Sequence, residues 1–402
     1  MRIAIIGLRA IGPTALGGIE SVIEELSTRF VKKGHHVTVF VRGRYAQDVG
    51  ENFKGVHLKV LPAIYTKHLE AITNTVVAIF YALRGYDIVH INALGPALLS
   101  FIPRLFFRNV VVTVHGQDWK REKWGGFAKW VLRIGERAAV TFPQRTVVVS
   151  KTLKDYEEKK FGKKVIHIPN GVMLPAAETT GDANTLGLKK NEFILFLGRL
   201  VPEKGCHVLI EAFRQLKTDK KLVIAGAPSH SEDYANQLHE LARDDDRIIF
   251  AGPLYEEHKE EAYRNAYCFV LPSSIEGMAI VLLEAMSYAK CCLCSDIEEN
   301  LEVIFPSVTS EHARQKNDRF IADQGTTSID EMFGACFSSG DVDDLTRKLE
   351  FLFRHPELVN SLGERARQQV ADRHNWDRIA QEYLVVFSDL LKQSDSHEDA
   401  AL

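Results

Sequence analysis

Short continuous apolar runs alternate with amphipathic stretches along this chain, and the series starts again after residue 170. Apolar runs of about four to eight residues, bounded by turn residues, are the pattern of strands buried on both faces. The first series places strands at 3–6, 36–41, 56–61, 87–91, 110–114 and 146–149, with helices at 19–33 and 68–83 among the stretches between them. Within 19–33, Ile19, Val22, Ile23, Leu26 and Phe30 recur at helical spacing, one apolar stripe for a core. Pro169-Asn170-Gly171 and the polar stretch through Asn184 close that series. A second follows, with strands at 193–197, 221–225, 247–251, 267–271 and 291–295 and helices at 206–216 and 231–243. Strand–helix alternation of this kind requires parallel sheets covered by helices on both faces. The expectation is an α/β protein of two doubly wound domains, 1–170 and 171–375, each presenting the carboxyl edge of its sheet to ligands. Asp341, with Asp344 three residues on, reads as the N-cap of a further helix. After Asn375-Trp376 a last helix is expected to about Lys392, and the polar tail 393–402 is expected to be disordered.

The composition removes several classes of function. No apolar run approaches the roughly 18 residues of a membrane span. Residues 68–83 come nearest, and Glu70, Thr73, Asn74 and Thr75 interrupt them. The opening Met-Arg-Ile-Ala-Ile-Ile-Gly is too short for the apolar core of a signal peptide and reads as a strand. Six cysteines form neither a disulfide framework nor a Cys-x-x-Cys pair, so buried free thiols in a reducing cytoplasm are expected. Net charge is −3, yet residues 1–170 carry 26 Lys/Arg against 13 Asp/Glu, net +13, and the remainder carries 24 against 40, net −16. A basic half joined to an acidic half points to one domain meeting an anionic partner.

The stretch 267–286 carries the most chemistry. Tyr267-Cys268-Phe269-Val270-Leu271 reads as a buried strand, Pro272-Ser273-Ser274 ends it, and an apolar helix begins at Met278. Glu276 therefore falls in the loop and Glu284 about two turns into the helix. Taken alone, a loop glutamate and an exposed helical glutamate look the same. Glu276 and Glu284, with Ala285-Met286, also resemble the double-glutamate signature of family 4 glycosyltransferases, retaining enzymes of the GT-B fold. The resemblance extends from Met1 to about Leu391. It implies two Rossmann-like domains facing a central crevice, with helix 376–392 packing back on the N-terminal, acceptor-side domain. It also implies that Glu276 faces the transferred sugar and that Glu284 holds the ribose hydroxyls. Gly277, Met278, Ala279 and Ile280 would then turn first-turn amides toward the donor.

Gly198-Arg199 closes the 193–197 strand, and Lys204-Gly205 opens the next helix. A lysine at a helix N-terminus opposes the dipole unless an anion sits there. A solvated turn charge is the other reading. The spacing Gly-Arg-x4-Lys-Gly resembles the family's diphosphate clamp, which implies catalytic roles for Arg199 and Lys204, with Gly198 beside the donor. Gly17-Gly18-Ile19-Glu20 fits neither a dinucleotide nor a P-loop fingerprint. It does resemble the family's Gly-Gly-x-Glu element, in which adjacent glycines permit positive φ and a close phosphate, while Glu20 also reads as a cap for first-turn amides. His115, in His-Gly-Gln-Asp at the end of the 110–114 strand, resembles the family's histidine near the donor sugar; a structural histidine is the alternative, and Asp118 reads equally as an N-cap. Asp244-Asp245-Asp246 invites a metal reading, but its place between helix and strand favours a solvated turn. No metal and no cofactor beyond the substrate nucleotide sugar are expected.

Three places depart from the family pattern. Ala289 stands where glycine is usual, which is tolerable with a negative φ; Ser295 to Asn300 lacks a Gly-Gly; Met173 replaces a frequent Asp. The implied function is retaining transfer of a hexose from a UDP- or GDP-linked sugar to a polyprenyl-linked or oligosaccharide acceptor, for exopolysaccharide or lipopolysaccharide. A GT-B sugar-nucleotide epimerase and a non-catalytic sugar-nucleotide-binding protein are the alternatives. In 98–108 and 118–137 basic residues lie among Phe and Trp, which suits a cytoplasmic enzyme resting on an anionic membrane surface, a solvated helix being the other reading. Nucleic acid is not expected as a partner.

Overall fold

The computed structural model describes residues 1–12, 17–46, 50–66, 69–175, 187–229, 231–323 and 328–399. His68, residues 176–186 of the polar stretch and residues 400–402 of the tail lie outside these. The chain forms two compact units, residues 1–171 with 376–402, and residues 172–375.

In the N-terminal unit the apolar runs become β1 (Arg2–Ile6), β2 (His36–Arg42), β3 (Asn52–Phe53), β4 (Val56–Leu61), β5 (Ile88–Asn92), β6 (Val110–Val114), β7 (Arg145–Val148) and β8 (Ile166–His167). They lie in the order β3-β4-β2-β1-β5-β6-β7-β8, parallel throughout except for β3 against β4. Six helices connect them: α1 (Gly18–Lys32), α2 (Glu70–Ala82), α3 (Leu94–Ala97), α4 (Phe101–Leu105), α5 (Gly126–Thr141) and α6 (Lys151–Phe161). The chain leaves β1 toward β2 on one side and returns to β5 on the other, so the topological switch point lies between β1 and β5. Gly7 makes that approach possible. Its φ is +111°, and a Cβ would stand 2.2 Å from the Asn92 carbonyl oxygen.

The second unit repeats the plan with β9 (Phe193–Leu197), β10 (Lys221–Ala225), β11 (Ile248–Gly252), β12 (Cys268–Leu271), β13 (Cys291–Ser295) and β14 (Ala335–Phe337). The order is β11-β10-β9-β12-β13-β14, all parallel, with the switch point between β9 and β12. Its helices are α7 (Cys206–Gln215), α8 (Glu232–Ala242), α9 (Glu256–Asn265), α10 (Ile280–Ser287), α11 (Glu298–Ile304), α12 (Ser310–Ala322), α13 (Val342–Arg354) and α14 (Pro356–Arg373). Asp341 caps α13 by accepting the Asp344 N–H at 2.9 Å. All six cysteines are buried and unbridged, and burial pushes the Cys268 thiol up to about 12.

The last helix, α15 (Trp376–Asp399), packs on the N-terminal unit. Phe387 meets Phe30 edge-on at 5.8 Å, and the Tyr383 hydroxyl lies 3.3 Å from Thr113 Oγ1, which in turn holds buried His90 at 2.8 Å. The helix continues through Asp399 instead of ending near Lys392. Residues 393–399 contain neither proline nor glycine, and polar side chains alone do not stop a helix.

Ala289 has φ +55°, not the negative value its side chain prefers. Gly363 of α14 is packed so closely that a Cβ there would sit 2.1 Å from the Ala289 carbonyl oxygen. The left-handed residue closes the C-terminus of α10, with the Ala289 N–H donating to the Met286 carbonyl at 3.0 Å and the Lys290 N–H to the Ala285 carbonyl at 3.1 Å, against the alanine's own preference. Ala289→Gly should stabilise the protein by about 1 kcal/mol, or about 2–4 °C in Tm. An unchanged or lower Tm would show that position 289 stores no such strain.

Candidate active site

The carboxyl ends of β9 and β12 emerge side by side at the switch point of the second unit. From β9 the chain passes through Gly198-Arg199 into a single 3-10 turn, Pro202–Lys204, and then Gly205, the N-cap of α7. Gly205 has φ +65°, and a Cβ there would lie 2.1 Å from the Pro272 carbonyl oxygen, so no larger residue fits against the exit of β12. The Ser274 N–H donates to the Glu203 carbonyl at 2.9 Å, fixing the two loops to each other. The consequence is chemical: Lys204 Nζ donates to Glu276 Oε1, and the two side chains are only 13% and 9% exposed. Lys204 and Glu276, 72 residues apart, are thus neighbours.

α10 starts at Ile280, two residues later than its apolar run implied, so Gly277, Met278 and Ala279 form its lead-in. No side chain caps it, which leaves its first-turn amides to other acceptors. Glu284 is the fifth helical residue, closer to the helix start than the two turns expected. Its Oε1 accepts from Lys259 Nζ at 2.8 Å and its Oε2 from the Tyr263 hydroxyl at 2.9 Å. Burial, and then Glu284 itself, hold the Tyr263 hydroxyl well above its usual pKa, so it stays a donor. Sequence reasoning missed Lys259 and Tyr263, although their i, i+4 spacing on α9 marks one helix face. The atypical 295–300 segment is braced instead of glycine-rich. Ser295 Oγ donates to the Ser273 carbonyl, Asn300 Nδ2 donates to Ser295 Oγ at 3.0 Å, and Asp296 pairs with Arg314 at 2.8 Å. Asp245 of the aspartate run is gripped by Arg247 at 2.7 Å.

In the N-terminal unit, His115 leaves the end of β6 with Nε2 3.0 Å from Asn92 Oδ1 at the end of β5. With the amide oxygen facing it, Nε2 carries the proton and Nδ1 keeps a lone pair. Burial pushes the imidazole down to about 4, Asp118 opposing, so His115 is neutral at pH 7. Asp118 forms no cap and pairs with Arg121 at 3.0 Å. Gly17 is extended and Gly18 is helical, so neither uses the positive φ that the pair allows. Glu20 accepts from the Arg9 N–H at 3.3 Å instead of from first-turn amides, and Glu24 accepts from Gly12 at 3.1 Å; together they tie the loop after β1 to α1.

Residues 182–369 match the family model for glycosyl transferases group 1, and residues 16–174 match that for glycosyltransferase family 4. The chain belongs to the GT-B glycosyltransferases. This glycosyltransferase is 26% identical to an uncharacterized glycosyltransferase of Methanocaldococcus jannaschii, covering 93% of the chain and 95% of the relative. It is 24% identical to O-antigen chain mannosyltransferase C of Escherichia coli over 94% of the chain and 96% of the relative. Sucrose-phosphate synthase from Thermosynechococcus elongatus superposes with TM-score 0.79 at 20% identity, over 98% of this chain and 99% of that one. Anabaena HepE, solved in complex with UDP-glucose, superposes with TM-score 0.76 at 17% identity, over 97% of this chain and 100% of its own.

In its N-terminal unit this glycosyltransferase buries two acids. Glu136 of α5 accepts from Trp119 Nε1 at 2.8 Å and from Lys160 Nζ. Glu157 of α6 is fully buried, and neither of its carboxyl oxygens has a hydrogen-bond partner among the described residues. Burial, with Glu136 adding to it, pushes the Glu157 carboxyl up to about 8.

Proposed function

We propose that this glycosyltransferase moves a hexose from a nucleotide-diphosphate sugar, with retention at the anomeric carbon, to a polyprenyl-linked or oligosaccharide acceptor during assembly of exopolysaccharide or lipopolysaccharide. The observation that carries this is the meeting of Lys204 and Glu276 at the β9–β12 switch point, beside the uncapped start of α10. As the glycosidic C–O bond to the diphosphate breaks, charge gathers on the leaving oxygen. Arg199, Lys204 and the amides from Gly277 to Ile280 stabilise it there, and need no metal to do so. A diphosphate that takes Lys204 frees the Glu276 carboxylate for the sugar hydroxyls. Glu284 accepts from the ribose diol, and Gly198 leaves room beside the donor. His115, Gly17 and Gly18 keep the donor-side roles implied by the family resemblance, with neutral His115 accepting through Nδ1. In this reading Glu276 binds the sugar hydroxyls, the acceptor oxygen attacks the anomeric carbon from the face the diphosphate leaves, and its proton passes to the departing phosphate oxygen. The O-antigen mannosyltransferase supports a glycan acceptor, and the UDP-glucose bound to HepE makes UDP-hexoses the first donors to test, GDP-hexoses the second. Our reading puts the reaction in the cytoplasm, with the enzyme peripheral to the membrane on which its acceptor is carried.

Incubation of chelator-treated enzyme with donor and acceptor, followed by proton NMR of the product's anomeric centre, tests the proposal. Retained configuration is expected. Inversion at that carbon, or nucleotide release with C2 inversion in the absence of acceptor, would overturn it. Glu284→Ala should raise donor KM about 10–100-fold with a smaller change in kcat, since hydrogen bonds to a charged group contribute about 1.5–3 kcal/mol. A 2′-deoxy donor should then lose little more with the variant. Full additivity of the two losses would remove Glu284 from that hydroxyl.

A further inference from the structure

Among the described residues, 18 large hydrophobic side chains are exposed, and all but Met173, Leu174 and Tyr255 belong to the N-terminal unit. That is the same part of the chain that carries the positive charge. Eight of these side chains gather on two neighbouring elements, α4 with its following turn and α5. α4 lies along the C-terminal part of α5: Phe101 meets Phe142 at 5.7 Å, Arg104 Nε donates to the Phe142 carbonyl at 3.2 Å, and Ser100 Oγ to that of Ala138 at 3.4 Å. At the end of α4 and in the turn after it, Leu105, Phe106 and Phe107 are 68%, 55% and 93% exposed. Phe107 has φ +53°, a costly conformation for a bulky residue, and backbone bonds from Phe106 and Arg108 to Pro103 and from Phe107 to Arg104 lock the turn that presents it. On α5 the outward face carries Phe127, Trp130 and Ile134, at i, i+3 and i+7; Phe127 is 78% exposed and stacks on Trp130 at 5.9 Å. Segment 101–142 holds eight Lys/Arg against three Asp/Glu, and one of those acids, Glu136, is buried on Lys160.

A water-facing surface has no use for a phenylalanine held out in a strained turn. We propose that this surface, the turn after α4 together with the outward face of α5, docks the enzyme on an anionic lipid bilayer. The aromatic side chains enter the interfacial region, and the surrounding arginines and lysines meet the lipid headgroups. Charge complementarity selects this occupant: a sugar chain offers neither an apolar phase nor a dense negative charge, while an anionic bilayer offers both. A lipid-carried acceptor, as proposed above, requires an enzyme held at a bilayer, whereas the donor chemistry is independent of it.

Flotation with vesicles of phosphatidylcholine, with and without phosphatidylglycerol, tests this on the full chain. Wild-type protein should float with anionic vesicles at low salt and be released as salt screens the contact. Phe106→Ser/Phe107→Ser and Phe127→Ser/Trp130→Ser should each lower the vesicle-bound fraction about tenfold, and Lys120→Gln/Arg137→Gln should weaken anionic binding alone. Tm and the donor-induced Tm shift should stay at wild-type values in all three, which separates the surface from the donor site. Equal flotation with neutral and anionic vesicles overturns the proposal. So do variants that float like wild type, and so does a wild-type dimer that the aromatic variants convert to monomer, since the face then covers a second copy of the chain.

Discussion

Lys204→Ala should lower kcat by about 10²–10³-fold, and Arg199→Ala by a similar factor, with donor KM changed much less. The asymmetry follows from when the charge appears. Before bond breaking the diphosphate is already anionic and many donors hold it. At the transition state an additional negative charge develops on one oxygen, and a fixed cation there contributes about 2–4 kcal/mol. Gly205 packed on Pro272 and the Ser274–Glu203 bond fix the loop that carries Lys204, so the cation is in place before a donor arrives. Glu276 is its partner in the free protein, and Glu276→Gln, which keeps the shape and removes the charge, is the companion variant. Initial rates on protein with wild-type Tm check the prediction. A wild-type kcat in the Lys204 variant would remove this lysine from the chemistry.

Glu157→Gln should stabilise the protein near pH 8 by on the order of 3 kcal/mol while changing little near pH 4. The carboxyl titrates near 4.5 when ordinarily solvated and at about 8 in the fold. A raised carboxyl binds its proton more tightly when folded. Its stabilising contribution is complete below the lower value and lost as pH rises through the upper one. Between the two, wild type must keep a proton on Glu157 or place a second charge beside Glu136, where Lys160 serves only one acid well. The glutamine has the same shape and no proton to lose. Denaturant unfolding of both proteins at pH 5, 6.5 and 8 gives the comparison. A difference that is flat across that range would show that Glu157 is ionised in the native state.

The alternation of apolar runs with amphipathic stretches was enough to foresee two parallel sheets, because strand and helix periodicities are local and span only a few residues at a time. The same holds for the cap at Asp341 and for the placement of Arg199, His115 and Glu276 just beyond strand ends. What the chain order could not reveal is which strand ends are neighbours. Lys204 meets Glu276 because β12 pairs with β9 on the side that β10 leaves free, a choice made by the packing of whole helices between the strands. Lys259 and Tyr263 reach Glu284 because α9 and α10 flank the same strand, so that each contact depends on register and crossover. Ala289 shows the same limit at one residue. Alanine favours negative φ, yet the bonds that close α10 hold it at +55°, and the turn fits only because Gly363, 74 positions away, leaves room for its carbonyl. Local propensity differs between such backbone states by about 1–2 kcal/mol, and hydrogen bonds that end a helix, in a space a distant glycine keeps open, outweigh it.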